Sequence, residues 1–186
     1  MKLQDLFKKR SRIDYIIYVA VIVAGIVIDQ LTKWIVVKNM ALYEEIPVIR
    51  FGKVEVVNLL YTTNDGAAFG MLDNARWIFI TISTIAILVM LGYLFLGHAE
   101  SRLSGIALAM LISGGIGNMI DRIALGEVID FIYFKIIKFA IFNGADSFVC
   151  IGAGLLVLAL LLEMKAEIKK EKLKKSHASD SNEDKE

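Results

Sequence analysis

Four stretches of this chain carry apolar side chains for about 20 residues at a time, the length a helix needs to cross a bilayer core of about 30 Å. They lie at about 15–37, 77–96, 103–123 and 145–164. Ile16 to Ile28 runs without a strongly polar side chain, and the second stretch carries no charge and opens on Trp77. The third (SGIALAMLISGGIGNMI) is rich in small residues, which let helix backbones approach closely where lipid offers no hydrophobic drive to association. Between the first two stretches, Ile49 to Tyr61 (IRFGKVEVVNLLY) is dense in β-branched residues and predicts one or two short strands against the membrane. TTNDGAAFG follows with turn chemistry.

Composition agrees with the pattern. The chain has 186 residues, 56% of them hydrophobic, and its mean hydropathy of +0.61 is too apolar for an ordinary soluble domain. Net charge is only +1, but the total hides two polar ends: a basic start at 1–14 and a Lys/Glu-rich tail at 165–186, with a single membrane domain at 15–164 between them. Such a balance gives no argument for a nucleic-acid partner. Cys150 is the one cysteine, so no intramolecular disulfide exists; within its apolar run a buried packing role is expected. The first apolar stretch has the basic lead of a signal peptide, yet no small-x-small cleavage site follows and the chain continues DQLTKW, so it is expected to be retained. Lys and Arg crowd both ends and Arg102 marks the short second connection, which predicts both termini in the cytoplasm and the long connections at 38–76 and 124–144 outside. The tail after Met164 belongs to no motif and is expected to lack order.

Depth counting then groups the polar residues. At 1.5 Å per residue, Asp29 lies roughly 21 Å beyond Tyr15, with Lys33 one turn further. Asn118, Asp121 and Arg122 close the third stretch, and Asn143 and Asp146 open the fourth. Asn64 and Gly66 return to the same surface from the first outer connection, and Asp130 sits in GEVIDFIYF, an apolar segment expected to fold back on the third helix. Asp29 with Lys33, Asn118 with Asp121 and Arg122, and Asn143 with Asp146 all stand three or four residues apart, so each helix presents a polar stripe at one depth. Four spans that close on each other bring these stripes into one pocket.

Two aspartates in apolar contexts, VIDFI and GADSF, have the makings of a dyad that shares one proton and hydrolyses a peptide bond, one as general base on water, the other as general acid. No Ser-His-acid set competes, because His98 and His177 lie on the other side, and no His/Cys cluster suggests a metal or other cofactor. Structural readings compete elsewhere. Asp29 with Lys33 reads as an ion pair that locks the first helix, Asn118 to Arg122 as capping and anchoring, GGIG as close helix packing, and Trp34, Trp77 and the aromatics of FIYF as a membrane belt. For the aspartates themselves, a small proton- or solute-translocating protein and a non-catalytic scaffold stay open beside hydrolysis.

Five blocks, DQLTK (29–33), NDGAAF (64–69), GGIGNMIDR (114–122), VIDF (128–131) and FNGAD (142–146), stand in that order on a chain with four predicted spans. Together they resemble the bacterial lipoprotein signal peptidases, signal peptidase II. The resemblance implies an all-α membrane protein of four transmembrane helices with a small extracytoplasmic β-cradle and a mobile segment over the site. It implies an aspartic endopeptidase of the bacterial cytoplasmic (inner) membrane, without cofactor, that cuts diacylglyceryl prolipoproteins before the lipidated cysteine. Membrane lipid and globomycin-type inhibitors are its implied partners. Asp130 and Asp146 match the family's catalytic pair, and Asp29, Lys33, Asn64, Gly66, Asn118, Asp121, Arg122 and Asn143 match positions that line or brace its pocket.

Overall fold

The computed structural model describes residues 11–64, 76–137 and 139–183. Its elements run α1 (Arg12–Asn39), β1 (Glu45–Phe51), β2 (Val54–Asn64), α2 (Arg76–Phe95), α3 (Arg102–Ala124), β3 (Val128–Phe134) and α4 (Gly144–Glu183). All four helices are long and apolar enough to cross a membrane. Their outward faces carry Val19, Val23, Val27, Ile82, Leu88, Leu158 and Leu161 well exposed, which is what a surface solvated by lipid rather than water requires.

Helix α3 is the hub, packed against α4, α1 and α2, and its small residues explain why. A methyl group on Gly114 would stand 2.4 Å from the Ala145 carbonyl oxygen, and one on Gly117 would stand 2.5 Å from Asp29 Oδ2. The glycine run is therefore a close helix crossing, as its composition suggests. Because the obstacle at Gly114 is backbone, Gly114→Leu is expected to cost several kcal/mol through forced separation of α3 and α4. A thermal melt in detergent checks it, with little or no folded protein as the expected outcome. Below the crossing, Tyr18, Ile87, Leu94, Leu108, Ala109 and Ile112 form one core cluster. At that far end Arg102 Nε donates to Asp14 Oδ1 at 2.7 Å, and Ser101 and Ser104 cap α3 reciprocally.

At the other end of the bundle lies a three-stranded antiparallel sheet in the order β1-β2-β3. The sequence-predicted strands at 49–61 extend in both directions into β1 and β2, and the turn between them is made by Gly52 at φ +60°. GEVIDFIYF does return to α3, through a hydrogen bond from the Ile129 amide to Asp121 Oδ2 at 3.2 Å, but as strand β3 on the open side of β2. The strand buries its first four residues: Phe131 is buried with Val36, Met40 and Ile129, so it belongs to a second core under the sheet and not to the expected membrane belt. Trp34 and Trp77 are exposed, as a belt requires. At the sheet's rim Lys135 Nζ meets Glu45 at 2.6 Å and Glu55 at 2.9 Å, and the buried Asn58 amide donates to both carboxylates. The Lys135 hydrogen bond is the larger influence that lowers the Glu45 carboxyl below its usual range; for Glu55 it is the Asn58 amide.

Two further expectations fail. The tail is not without structure, because the α4 backbone stays helical past Met164 to Glu183; its sequence sets Glu171 four residues before Lys175, a spacing that supports a helix in water. Cys150 is exposed rather than buried. An apolar run in a membrane helix does not distinguish a core-facing position from a lipid-facing one, since both surroundings are apolar.

Candidate active site

The polar residues of α1, α3, β3 and α4 meet where the helix bundle joins the sheet. Lys33 is 2% exposed, and its ammonium has three acceptors for its three protons: Asp29 Oδ2 at 2.8 Å, Asp121 Oδ2 at 2.8 Å and Asn118 Oδ1 at 3.1 Å. The expected Asp29–Lys33 pair is thus one half of a buried three-residue ion cluster. Its carboxylates are satisfied further by backbone: Asp29 Oδ1 accepts from the Ala145 amide at 2.8 Å, and Asp121 Oδ2 from that of Ile129. Gln30 joins the two carboxylates by donating to Asp29 Oδ2 at 3.1 Å, Asp121 Oδ1 at 2.9 Å and the Gly117 carbonyl at 3.2 Å. Gln30, inside DQLTK, is a site residue without a role among the sequence expectations; the signal for it is a glutamine mid-span beside an aspartate.

Above this cluster stand Asp130 and Asp146. Strand register aims Asp130: it lies opposite Thr62 on β2, and Asn64, two residues further on the same face, donates from Nδ2 to Asp130 Oδ2 at 3.3 Å. Asp146 is aimed by the start of α4. Asn143 Oδ1 accepts the Asp146 amide at 3.0 Å while Asp146 Oδ2 accepts the Asn143 amide at 3.1 Å, a reciprocal box that closes the helix terminus. With its oxygen committed to the cap, Asn143 must present its Nδ2 to the other side, where it reaches Asp130 Oδ1 at 2.8 Å and Asn118 Oδ1 at 2.9 Å. Asn118 Nδ2 in turn donates to Asp146 Oδ1 at 2.7 Å. Asn143 is both helix cap and the link between the aspartates.

Asp130 is 3% exposed. Burial, and next the nearby charge of Asp146, push its carboxyl up from an ordinary 3.8 to about 7, against the hydrogen bonds from Asn64 and Asn143. Both aspartates line a cavity of about 530 Å³ with Asn64, Asn118 and Arg122. Its remaining wall is apolar, made by Phe134 and Phe142 beside β3 and by Cys150 and Ile151 of α4. Arg122 packs its guanidinium 5.0 Å from the Phe79 ring. Of the predicted residues, Asp29, Lys33, Asn64, Asn118, Asp121, Arg122, Asp130, Asn143 and Asp146 converge; Gly66 lies outside the described residues. Among the described residues no group of three or more His, Cys, Asp or Glu side chains has metal-binding geometry. Phe134, Cys150 and Ile151 were not legible as site residues, because nothing polar marks them.

Residues 21–162 match the family model described as signal peptidase (SPase) II. The chain belongs to the signal peptidase II family. It is an aspartic peptidase of the membrane, multi-pass by its four apolar helices. The lipoprotein signal peptidase of Symbiobacterium thermophilum is 43% identical over 142 residues, 75% of this chain and 91% of that relative. That of Brevibacillus brevis is 41% identical over 152 residues, 81% of this chain and 97% of the relative. Among solved structures, a bacterial membrane enzyme determined by the in meso method is similar at a TM-score of 0.73 and 33% identity, covering 79% of this chain and 88% of that one. The family's four-helix architecture with a small sheet is thus present here, as the resemblance of the five blocks implied.

Proposed function

We propose that this peptidase removes the signal peptide from diacylglyceryl-modified prolipoproteins, cutting just before the lipidated cysteine, and that Asp130 and Asp146 perform the hydrolysis. The observation that carries this reading is the pair itself: two carboxylates bridged by Asn143 at the polar end of a cavity whose other walls are apolar. Membership of the family supplies the substrate class.

The environments divide the roles. Asp130, raised to about 7, keeps a proton up to near neutrality and acts as the acid. Asp146, with its oxygens oriented by Asn118 and the Asn143 amide, acts as the base. Asp146 takes a proton from water as the water oxygen bonds to the scissile carbonyl carbon, and Asp130 gives its proton to the carbonyl oxygen. The tetrahedral species collapses as Asp146 gives the proton it took from water to the leaving nitrogen and the C–N bond breaks, while Asp130 takes back a hydroxyl proton, which leaves a carboxylic acid, an amine and both aspartates as they began. Asn64 and Arg122, on the cavity wall, hold the substrate backbone or the ester region of its lipid; Asn64→Ala is expected to weaken substrate binding, and unchanged binding counts against that role.

Both termini lie in the cytoplasm on this reading, and the sheet end of the bundle sits near the outer leaflet of the bacterial cytoplasmic membrane. The Lys/Arg-rich flanks of the sequence support it, and among the described residues Arg12 and Arg102 begin α1 and α3 at the end of the bundle opposite the sheet. A signal helix already in the bilayer then presents its cleavage site and acyl chains at the depth of the aspartates. The same cavity is the site for globomycin-type inhibitors.

The test is cleavage of a lipidated prolipoprotein by the purified chain in lipid or detergent, followed by gel shift across pH. Turnover is expected to fall as pH rises through about 7, where Asp130 loses the proton it must donate. Turnover that keeps rising to pH 9 contradicts the assignment of the acid.

A further inference from the structure

We propose that Lys33 is a positioning residue for Asp130 and Asp146: by clamping Asp29 to Asp121 it fixes the distance between the two backbone segments that carry the reacting carboxylates. The inference rests on the reading that these two aspartates are the reacting pair.

Each carboxylate of the buried cluster grips the residue immediately before one of them. Asp29 Oδ1 accepts the amide of Ala145, which precedes Asp146, and Asp121 Oδ2 accepts the amide of Ile129, which precedes Asp130. Lys33 lies 2.8 Å from both carboxylates and so ties the two grips to one point. Other contacts reach the same segments, since β3 pairs with β2 and bridges Phe142, and Asn143 Nδ2 donates to the Ile129 carbonyl at 3.2 Å. The Ala145 amide, however, is one of the first N–H groups of α4, which no helical carbonyl can reach, and Asp29 supplies its acceptor.

The third Lys33 proton sets an orientation. It points at Asn118 Oδ1, which turns the amide so that Nδ2 faces Asp146 Oδ1 at 2.7 Å. With Asn118 reversed, its oxygen would face a carboxylate and its nitrogen an ammonium, so the flip is closed while Lys33 is present. Lys33 thereby governs both the spacing of the pair and the donor that aims Asp146.

A role confined to stability fits less well. Buried ion clusters contribute little net stability, and apolar side chains of similar volume often replace them without loss. Apolar side chains in place of the whole cluster would fill its space but would hold neither the Ala145 nor the Ile129 amide and would leave Asn118 free to turn.

Lys33→Met and Asp121→Asn, assayed with a lipidated prolipoprotein beside Asp130→Asn and Asp146→Asn, test this. For Lys33→Met, kcat is expected to fall on the order of 100-fold, the cost of a displacement of about 1 Å in reacting groups. KM is expected to stay within about threefold, because the substrate-facing wall of the cavity is untouched. Asp121→Asn leaves Lys33 paired with Asp29, so it folds even where Lys33→Met does not accumulate; it takes one carboxylate charge off Lys33 and, with a single acceptor oxygen left for Ile129 and Gln30, loosens the grip on Ile129. Its kcat is expected to drop at least about tenfold. The descending limb near pH 7 should move lower as β3 relaxes from Asp146 and part of the like-charge contribution to Asp130 is lost. Burial first and the charge of Asp146 next raise the Asp130 carboxyl, so a moved limb reports a change in one of these. Wild-type kcat and an unmoved limb in folded Asp121→Asn, with both aspartate controls inactive, overturn the positioning role. Active aspartate controls overturn the dyad reading and this inference with it.

Discussion

Asp130→Asn and Asp146→Asn are each expected to lower turnover of a lipidated prolipoprotein by at least about 10³-fold, since each removes one partner of a general acid–base pair whose members cannot substitute for each other. Both variants should stay folded in membrane. An asparagine at 130 keeps an oxygen to accept from Asn143, gives up the acceptor of the longer bond from Asn64, and removes an ionisable group that the fold tolerates poorly. Linkage gives the sign. Asp130 titrates near 7 in the native state and near 3.8 when unfolded, so between those values the native chain holds a proton that the unfolded chain has lost. Stability therefore falls as pH rises from about 4 to 7, and above 7 the full penalty for a buried charge is present. Asp130→Asn removes that penalty, so its melting temperature should exceed wild type by more at pH 8 than at pH 5. Equal turnover in either variant, or a melting difference independent of pH, contradicts the role given to Asp130.

Asn143→Ala carries the second large effect. The substitution deletes the Nδ2 that reaches Asp130 Oδ1 and Asn118 Oδ1, and with it the orientation of both aspartates. Loss of one preorganised donor at a reacting centre costs turnover on the order of 10²- to 10³-fold. Loss of the helix cap on the Asp146 amide costs about 1 kcal/mol of stability. Asn143→Ser separates the two, because a serine oxygen caps a helix but cannot reach across to Asp130. Turnover should be low in both variants, with a melting temperature close to wild type only in the serine variant. Recovery of activity by serine would reduce Asn143 to a cap.

Much of this site was legible before any coordinates. Depth counting put Asp29, Lys33, Asn118, Asp121, Asn143 and Asp146 at one level because a transmembrane helix has a fixed rise and few orientations, so residue number is nearly a coordinate. Spacing also gave the Asp29–Lys33 pair. Asp121 as the second carboxylate on Lys33 was beyond reach, since i, i+4 arithmetic speaks only within one helix and this contact crosses from α1 to α3. The VIDF strand shows a different limit. An apolar run buried on both faces has no alternation to read, and pairing with β2 depends on a partner that is more than sixty residues away in sequence. Cys150 erred for a reason special to membranes, where hydropathy cannot tell a cavity wall or a lipid face from a core.

The most direct test of the central claim is the identity of the product. A diacylglyceryl prolipoprotein and its unlipidated counterpart are incubated with the purified chain, and mass spectrometry reads the new amino terminus. The account predicts a mature fragment that begins at the lipid-bearing cysteine, formed by wild type, absent with Asp130→Asn or Asp146→Asn, and much slower to form without the lipid. No cleavage by wild type, or the same fragment from the double aspartate variant, would contradict it.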